Sequence, residues 1–187
     1  MAFPAFLDTN VLYGAVLCDT LLRLAEQGAF RPHWSADVLA ELQRNLLKIA
    51  GLTREQTDHR ISQMERAFPD AGVTGYAGLT DKLRCDPKDR HVLAAAIVGG
   101  CQVIVTFNTK DFPPESVEEF GISVVHPGDF LLDQLDLYPR LAEEALSAQA
   151  AASHRPEMSY TQLLGRLKRA GIGDFVDEVR HRFGSFQ

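Results

Sequence analysis

The chain has 187 residues, of which 45% are hydrophobic and 24% are charged, and its formal net charge is −6. These values are ordinary for a soluble globular protein and exclude a low-complexity or disordered chain. The length suits one sizeable domain with an extension, and the acidity argues against a protein that binds RNA mainly through general electrostatic attraction.

The sequence also argues against secretion, membrane insertion and zinc binding. Its first ten residues lack a basic region and are interrupted by Asp8, which is not the pattern of a signal peptide. No apolar run approaches the ~20 residues of a membrane helix. Three cysteines without a CxxC spacing are typical of reduced thiols. The histidines occur singly, without the spacing of zinc ligands, so no zinc site is expected. We therefore expect a cytoplasmic protein with no membrane partner.

The first half of the chain alternates apolar strand patterns with helical periodicity. Each helix after the first has a start signal: Ser35 is a cap, and Thr53 with Gln56 forms a capping-box pattern. The predicted elements are a strand at 5–7, a helix at about 11–27, a strand at 30–34 and helices at about 36–50 and 54–68.

The second half begins with a predicted loop, over 73–85, that carries a short helical piece. Asp86-Pro87 then reads as a helix start, with the helix ending at Gly99-Gly100. Strands follow at 103–107 and 122–125. Alternating strands and helices predict an α/β fold with a central parallel sheet covered on both faces, hence three layers.

From about Leu137 only helical patterns remain. We predict a helix over 137–152, a hinge around 153–156 and two short helices on either side of Gly171–Gly173. The expected organisation is a domain at 1–136 and a helical C-terminal extension at 137–187.

Several carboxylates stand out because of their position in these elements. Asp8 directly follows the first strand, where ligands of open parallel sheets bind, although an Asx turn would also explain it. Glu41 and Asn45 fall on the apolar stripe of their helix and are predicted to face inward together. A buried carboxylate needs a cation, a donor network or a wet cleft, and a salt bridge to an arginine is the structural alternative for Glu41.

The acids of the second half repeat this placement. Asp89 is predicted at the top of a core-facing helical stripe. Asp86 is predicted as the cap of that helix, and the favourable interaction of its charge with the helix dipole fully explains an acid at this position. Asn108 and Asp111 follow the strand at 103–107, and either could be a turn former. Four carboxylates at one end of one sheet repel each other unless a hard cation such as Mg²⁺ or Mn²⁺ binds between them.

Taken together, DTNVLYG after the first strand, Glu41 in VLAEL, Asp89 in DPKDRHVLAAA and Asp111 in TFNTKDF resemble the PIN-domain ribonucleases over roughly residues 1–127. Within that group the chain resembles the VapC-type toxins of type II toxin–antitoxin systems. The resemblance implies a Mg²⁺- or Mn²⁺-dependent endoribonuclease, often a homodimer, that is inhibited by an antitoxin protein inserting a segment toward the acidic site. Residues 130–187 have no counterpart in the core pattern.

Carried over residue by residue, the resemblance assigns metal binding and catalysis to Asp8, Glu41, Asp89 and Asp111. Supporting roles fall to Thr9, Asn10, Asn45, Asp86 and Asn108, and Asn108 stands where some members carry an acid. The side chains expected near the phosphates of an RNA substrate are Arg84, Lys88, Arg90 and Lys110, each of which could also be a solvated helix end.

Two other functions compete with an RNA-hydrolysing enzyme. A phosphatase of the haloacid-dehalogenase type also places an aspartate after its first strand, but it needs a second one where this chain has Asn10. A catalytically silent binding module could instead use the acidic pocket to receive a basic partner segment. The acidity of the chain favours this module mildly, and retention of all four acids argues against it.

Overall fold

The computed structural model describes residues 2–153 and 157–184. The chain divides into two compact units. The first contains residues up to Tyr13 together with Phe30–Val125, and the second contains Gly14–Ala29 together with the residues from His126 onward. The predicted boundary between 136 and 137 stays a prediction.

The first unit is built on a five-stranded sheet in the order β3-β2-β1-β4-β5, and every pair of neighbours is parallel. Leu7 at the end of β1 pairs with Val105 at the end of β4, so the carboxyl ends of these strands lie side by side. The strand order reverses at this point, which is where α/β sheets bind ligands. The strands are β1 (Phe3–Leu7), β2 (Phe30–Ser35), β3 (Gly72–Val73), β4 (Val103–Val105) and β5 (Ser123–Val125).

Among the described residues this unit has six α-helices. The helix Ala36–Leu46 packs on β2, and the helix Arg90–Val98 packs on β1 to β4. The six helices are α1 (Thr9–Tyr13), α3 (Ala36–Leu46), α4 (Arg54–Ala67), α5 (Ala77–Thr80), α6 (Arg90–Val98) and α7 (Pro114–Val117).

The second unit is helical. Its helices are α2 (Ala15–Glu26), α8 (Pro127–Leu137), α9 (Pro139–Ala152), α10 (Tyr160–Arg169) and α11 (Gly173–Phe183). Helix α2 packs on α9 and α10, while α8 packs on α9 and α11. The α/β class with a central parallel sheet and a helical C-terminal part is therefore confirmed. No helix of the described residues is long and apolar enough to cross a membrane.

The caps predicted at Ser35 and Thr53 are confirmed. The Ser35 hydroxyl accepts a hydrogen bond from the Val38 backbone N–H, and Thr53 and Gln56 form both bonds of a capping box. Each cap satisfies N–H groups that the first turn of a helix leaves unpaired. The cap at Ser35 fixes the start of α3, the helix that carries Glu41.

The continuous helix predicted at 11–27 is wrong. Gly14, with an extended backbone (φ −70°, ψ 113°), separates α1 from α2. The two helices also belong to different units. Apolar periodicity continues across a single glycine, so the sequence pattern does not reveal the break.

The helix start predicted at Asp86-Pro87 is also wrong. Residues 87–89 form a turn, and α6 begins at Arg90 with Asp89 immediately before it. The Asp86 carboxylate accepts a hydrogen bond from the Lys88 backbone N–H and thereby closes this turn. Asp89 is consequently the residue immediately before the helix, and its carbonyl accepts bonds from the backbone N–H groups of Val92 and Leu93.

Smaller differences concern short elements. The predicted loop at 73–85 contains the helical piece, α5, but the two-residue strand β3 at its start was not predicted. Helix α3 ends at Leu46 instead of near residue 50, and α8 precedes the predicted helical extension. The proposed hinge at 153–156 falls largely on residues 154–156, which lie outside the described residues.

Candidate active site

Asp8 directly follows β1 and is only 5% exposed. Its Oδ1 accepts a hydrogen bond from the Thr9 backbone N–H at 2.6 Å. Its Oδ2 accepts bonds from Asn10 Nδ2 and from Thr106 Oγ1, both at 2.7 Å. These three donors satisfy a buried carboxylate that forms no ion pair among the described residues.

Burial raises the pKa of Asp8, because removal from water disfavours the charged form. The hydrogen bonds from Thr106 and Thr9 lower the pKa, and the charge of Glu41 raises it. The net shift is upward, so the donors compensate only in part for the loss of water. A cation near Asp8 would favour the charged form further.

Thr106 is a site residue that the sequence interpretation missed. It is fully buried and directly follows β4, as Asp8 follows β1. Besides donating to Asp8, its hydroxyl oxygen accepts bonds from Asn10 Nδ2 at 2.9 Å and from the Asn108 backbone N–H at 3.0 Å. Its position just after an inner strand is the signal that could have identified it.

Asn10 and Asn108 occupy the predicted region, with different roles. Asn10 uses its Nδ2 on Asp8 and Thr106, and its Oδ1 accepts from the Phe107 backbone N–H at 3.1 Å. It therefore ties the segment after β1 to the segment after β4. The Asn108 side chain is exposed, and its described contact to the site runs through its backbone.

Glu41 and Asn45 lie one turn apart on α3 and line the same open cleft, as their spacing predicts. Both are half-buried, and Glu41 Oε2 accepts a hydrogen bond from Thr9 Oγ1 at 3.2 Å. Among the described residues no arginine pairs with Glu41. Its half-buried carboxylate thus faces an open cleft and accepts from one hydroxyl donor.

The pKa of Asp89 is raised, and several other acids contribute to the shift. Its pKa is raised to about 6; burial is the largest cause, and the charges of Asp8, Asp111, Asp86 and Glu41 contribute the rest. Asp86 and Asp111 approach each other through the backbone, since the Asp86 N–H donates to the Asp111 carbonyl at 3.3 Å. The fold therefore brings together acids from four separate segments.

The predicted RNA-contacting side chains lie around these segments with unequal exposure. Arg84, Lys88 and Lys110 are exposed, and none forms an ion pair within the described part of the chain. Arg90 is half-buried, and its Nε is buried without a hydrogen-bond partner. Three of the four are thus accessible to a ligand.

The donor set fits a hard divalent cation in its chemistry. All of the acids offer oxygen, which Mg²⁺ and Mn²⁺ prefer, and their mutual repulsion is what a cation would relieve. Within residues 2–153 and 157–184, however, no three Asp, Glu, His or Cys side chains form a ready-made coordination shell.

Comparison with known protein families identifies the fold. A family model for the PIN domain matches residues 4–110, more than half of the chain. The chain belongs to the PIN domain family. A second model, for the VapC50 C-terminal domain, matches residues 127–181, which correspond to most of the helical unit after α2. This PIN domain is therefore followed by a helical region with relatives of its own.

One curated relative covers much of this PIN-domain chain. It is "Putative ribonuclease VapC50" of Mycobacterium tuberculosis, which is 38% identical over 111 residues. The matched region is 59% of this chain and 65% of the relative, so the match spans somewhat less than two thirds of that protein.

Two solved structures are similar at low identity. FitAB bound to an IR36 DNA fragment has a TM-score of 0.47 and 17% identity, over 66% of this chain and 94% of that one. FitAcB from Neisseria gonorrhoeae has a TM-score of 0.45 and 17% identity, over 66% and 97% of the two chains. Both likenesses are too distant to support a functional conclusion.

Proposed function

We propose that this PIN-domain protein is a metal-dependent endoribonuclease of the VapC toxin type. The observation that carries the proposal is the convergence of acids from four segments near Asp89, whose pKa is raised first by burial and then by the charges of these acids. Perturbed carboxylates at the switch point of an α/β sheet are candidates for a functional site. Membership of the PIN family and the identity to the M. tuberculosis relative support the choice of a nuclease.

Asp8, Glu41, Asp89 and Asp111 would hold the ion, Mg²⁺ or Mn²⁺, with Asp86 close by. When bound, such an ion lowers the pKa of a water molecule and offsets negative charge on the phosphate. The rest of the chemistry falls to the chain. Thr106, Asn10 and the Thr9 N–H fix both oxygens of Asp8, so that its carboxylate meets the ligand in one orientation.

The exposed cations Arg84, Lys88 and Lys110 would contact the phosphates of the RNA strand. Such contacts position a strand without reading its sequence. The net charge of −6 means that these local cations, together with the ion, must overcome the general repulsion between protein and RNA.

The proposed partners follow from the VapC likeness. They are an RNA substrate, an antitoxin protein whose basic segment enters the acidic site, and a second copy of the chain in a homodimer. The proposed place of action is the cytoplasm. The absence of a ready-made three-residue metal cluster in the described residues favours one competitor, a silent module that only receives the antitoxin.

RNA cleavage by purified, antitoxin-free protein separates these two functions. We expect cleavage with Mg²⁺ or Mn²⁺, none with a chelator, and a loss of at least roughly 100-fold in Asp8→Asn, since the site then lacks a charged ligand. Thermal unfolding of the variant checks that the fold persists. Unchanged activity in Asp8→Asn contradicts the site, and a metal-loaded wild type that cuts no RNA favours the silent module.

A further inference from the structure

A cleft of about 290 Å³ opens beside the acids, within the first unit. Its size is near the lower end of small-molecule pockets, ~300–1,000 Å³, and so suits one small ligand unit. The residues that line it are Thr9, Asn10, Tyr13, Glu41, Asn45 and Lys48.

The cleft shares its wall with the candidate metal site. Thr9 and Asn10 each hydrogen-bond the Asp8 carboxylate, and Thr9 also bonds Glu41. Whatever occupies the cleft therefore lies next to the group at which the proposed reaction takes place.

Tyr13 gives the cleft an exposed aromatic side chain, 39% accessible at the end of α1. The guanidinium of Arg60 holds this end of the helix in place. Its Nη1 donates to the Tyr13 carbonyl at 3.2 Å and its Nη2 to the Leu12 carbonyl. A tyrosine on a fixed backbone is a suitable surface for a flat ring to stack on.

Lys48 supplies positive charge at the same cleft. Its Nζ donates to Asn45 Oδ1 at 2.9 Å, which leaves two of its three donors for a ligand. It is exposed and forms no ion pair in the described part of the chain. A lysine with spare donors beside an aromatic ring matches the phosphate and base of a nucleotide.

We propose that this cleft binds one unpaired RNA nucleotide adjacent to the cleaved phosphate, with its base on Tyr13 and its phosphate at Lys48. The inference rests on the proposed nuclease function and assigns that function a substrate subsite. It also makes the substrate single-stranded here, because a base held within a duplex cannot stack on a protein side chain. A basic segment of a protein partner would suit Glu41 but would meet Lys48 in the same cleft.

The test measures kcat and KM with a short, unstructured, mixed-sequence RNA oligonucleotide and Mn²⁺. Affinity for the same oligonucleotide is measured by fluorescence anisotropy in a chelator, which stops the metal-dependent turnover and keeps the contacts of Thr9 and Asn10 with Asp8. Tyr13→Leu keeps apolar bulk but loses the ring, Tyr13→Phe keeps the ring, and Tyr138→Ala is the control because Tyr138 has a similar exposure, 37%, on the second unit. Thermal unfolding confirms that each variant is folded.

We expect Tyr13→Leu to raise both KM and the dissociation constant by roughly 5- to 150-fold, the range for losing one stacked base, while Tyr13→Phe stays close to wild type. Lys48→Ala should lower the slope of log affinity against log salt by about 0.7, as for one lost phosphate contact on a single strand. Lys82→Ala, a matched exposed lysine outside the cleft, should leave that slope unchanged.

If the wild type cleaves RNA and Tyr13→Leu binds the oligonucleotide as tightly as Tyr138→Ala does, the proposed subsite is wrong and the proposed nuclease function stands. Variants at Tyr13 that weaken only the binding of an antitoxin would also overturn the subsite, since the cleft would then receive protein. A wild type that cuts no RNA with either metal ion would reject the proposed function and the subsite with it.

Discussion

The Thr106 hydroxyl lies 2.7 Å from Oδ2 of Asp8, although 98 positions separate the two residues. The contact arises because β1 and β4 are parallel neighbours and each residue is the first beyond its strand. One hydroxyl thereby receives bonds from Asn10 and Asn108 while it donates to the aspartate. The geometry of the acidic site depends on the register of two strands.

Replacing Thr106 with valine should weaken metal binding by about 10- to 100-fold, the usual cost of losing a partner that orients a metal ligand. The shape of the side chain is kept, but Asp8 loses a donor that lowers its pKa. Titration calorimetry with Mn²⁺ measures the effect, and Thr106→Ser, which keeps the hydroxyl, is the control. Equal Mn²⁺ affinity in Thr106→Val and wild type would refute the orienting role.

Asp89 should make the metal-free protein less stable as the pH rises. Its pKa is raised to about 6 in the folded chain, so the folded state binds the proton more tightly than the unfolded state does. The resulting stabilisation is fully present below pH ~4 and is lost as the pH rises through about 6. Urea unfolding in a chelator should therefore show that Asp89→Asn gains stability relative to wild type between pH 4 and pH 7.

That gain is on the order of 1 kcal/mol after allowance for solvent screening of a half-buried group, or about 2–4 °C in the melting temperature at this chain length. Comparison with the variant cancels the titration of groups that do not interact with Asp89, including His33, whose pKa burial lowers. A stability difference that stays constant across this pH range would contradict the assignment.

Divalent cations should raise the melting temperature of the wild type in a concentration-dependent way. Binding to the folded state alone contributes about 2.7 kcal/mol at a hundred times the dissociation constant. Differential scanning fluorimetry with Mn²⁺ and with Mg²⁺ would detect this shift. Asp8→Asn should show little of it, and an equal shift in that variant would place the ion elsewhere on the protein.

Arg60 should act as a positioning residue for Tyr13. Arg60→Ala removes the two hydrogen bonds at the end of α1. Water can bond to the freed carbonyls, but it does not hold the backbone in place. We expect KM for RNA to rise several-fold, on the order of 1 kcal/mol, with kcat nearly unchanged. A fall in kcat at constant KM would show instead that Arg60 affects the acids.

The sequence was informative where the signal is local. The caps at Ser35 and Thr53 and the acid after β1 involve residues a few positions apart, and each appears in the structure as predicted. The inward pairing of Glu41 with Asn45 follows from helical periodicity alone. The carboxyl ends of parallel strands meet at one edge, which is why the placement of Asp8 and Asp111 could be anticipated.

Features that depend on distant parts of the chain were missed. Threonine is common in and near strands, so nothing local marks Thr106 as the partner of Asp8. Tyr13 and Lys48 come from distant segments, and only the fold brings them to one cleft, while Arg60 of α4 bonds to the backbone at Tyr13. The turn before α6 replaces a helix start because Asp86 bonds to the Lys88 N–H, an alternative that proline at 87 allows equally well.

The placement of α2 affects how the chain folds during translation and where it can be truncated. This helix is synthesised early, inside the region that the PIN model covers, yet its buried residues Leu17, Leu21 and Leu24 belong to the unit completed by the last third of the chain. During translation about a hundred further residues must be synthesised before its packing partners α9 and α10 are available. A fragment ending at Val125 would carry an uncovered leucine face and tend to aggregate, so the PIN-domain region cannot be obtained simply by ending the chain there.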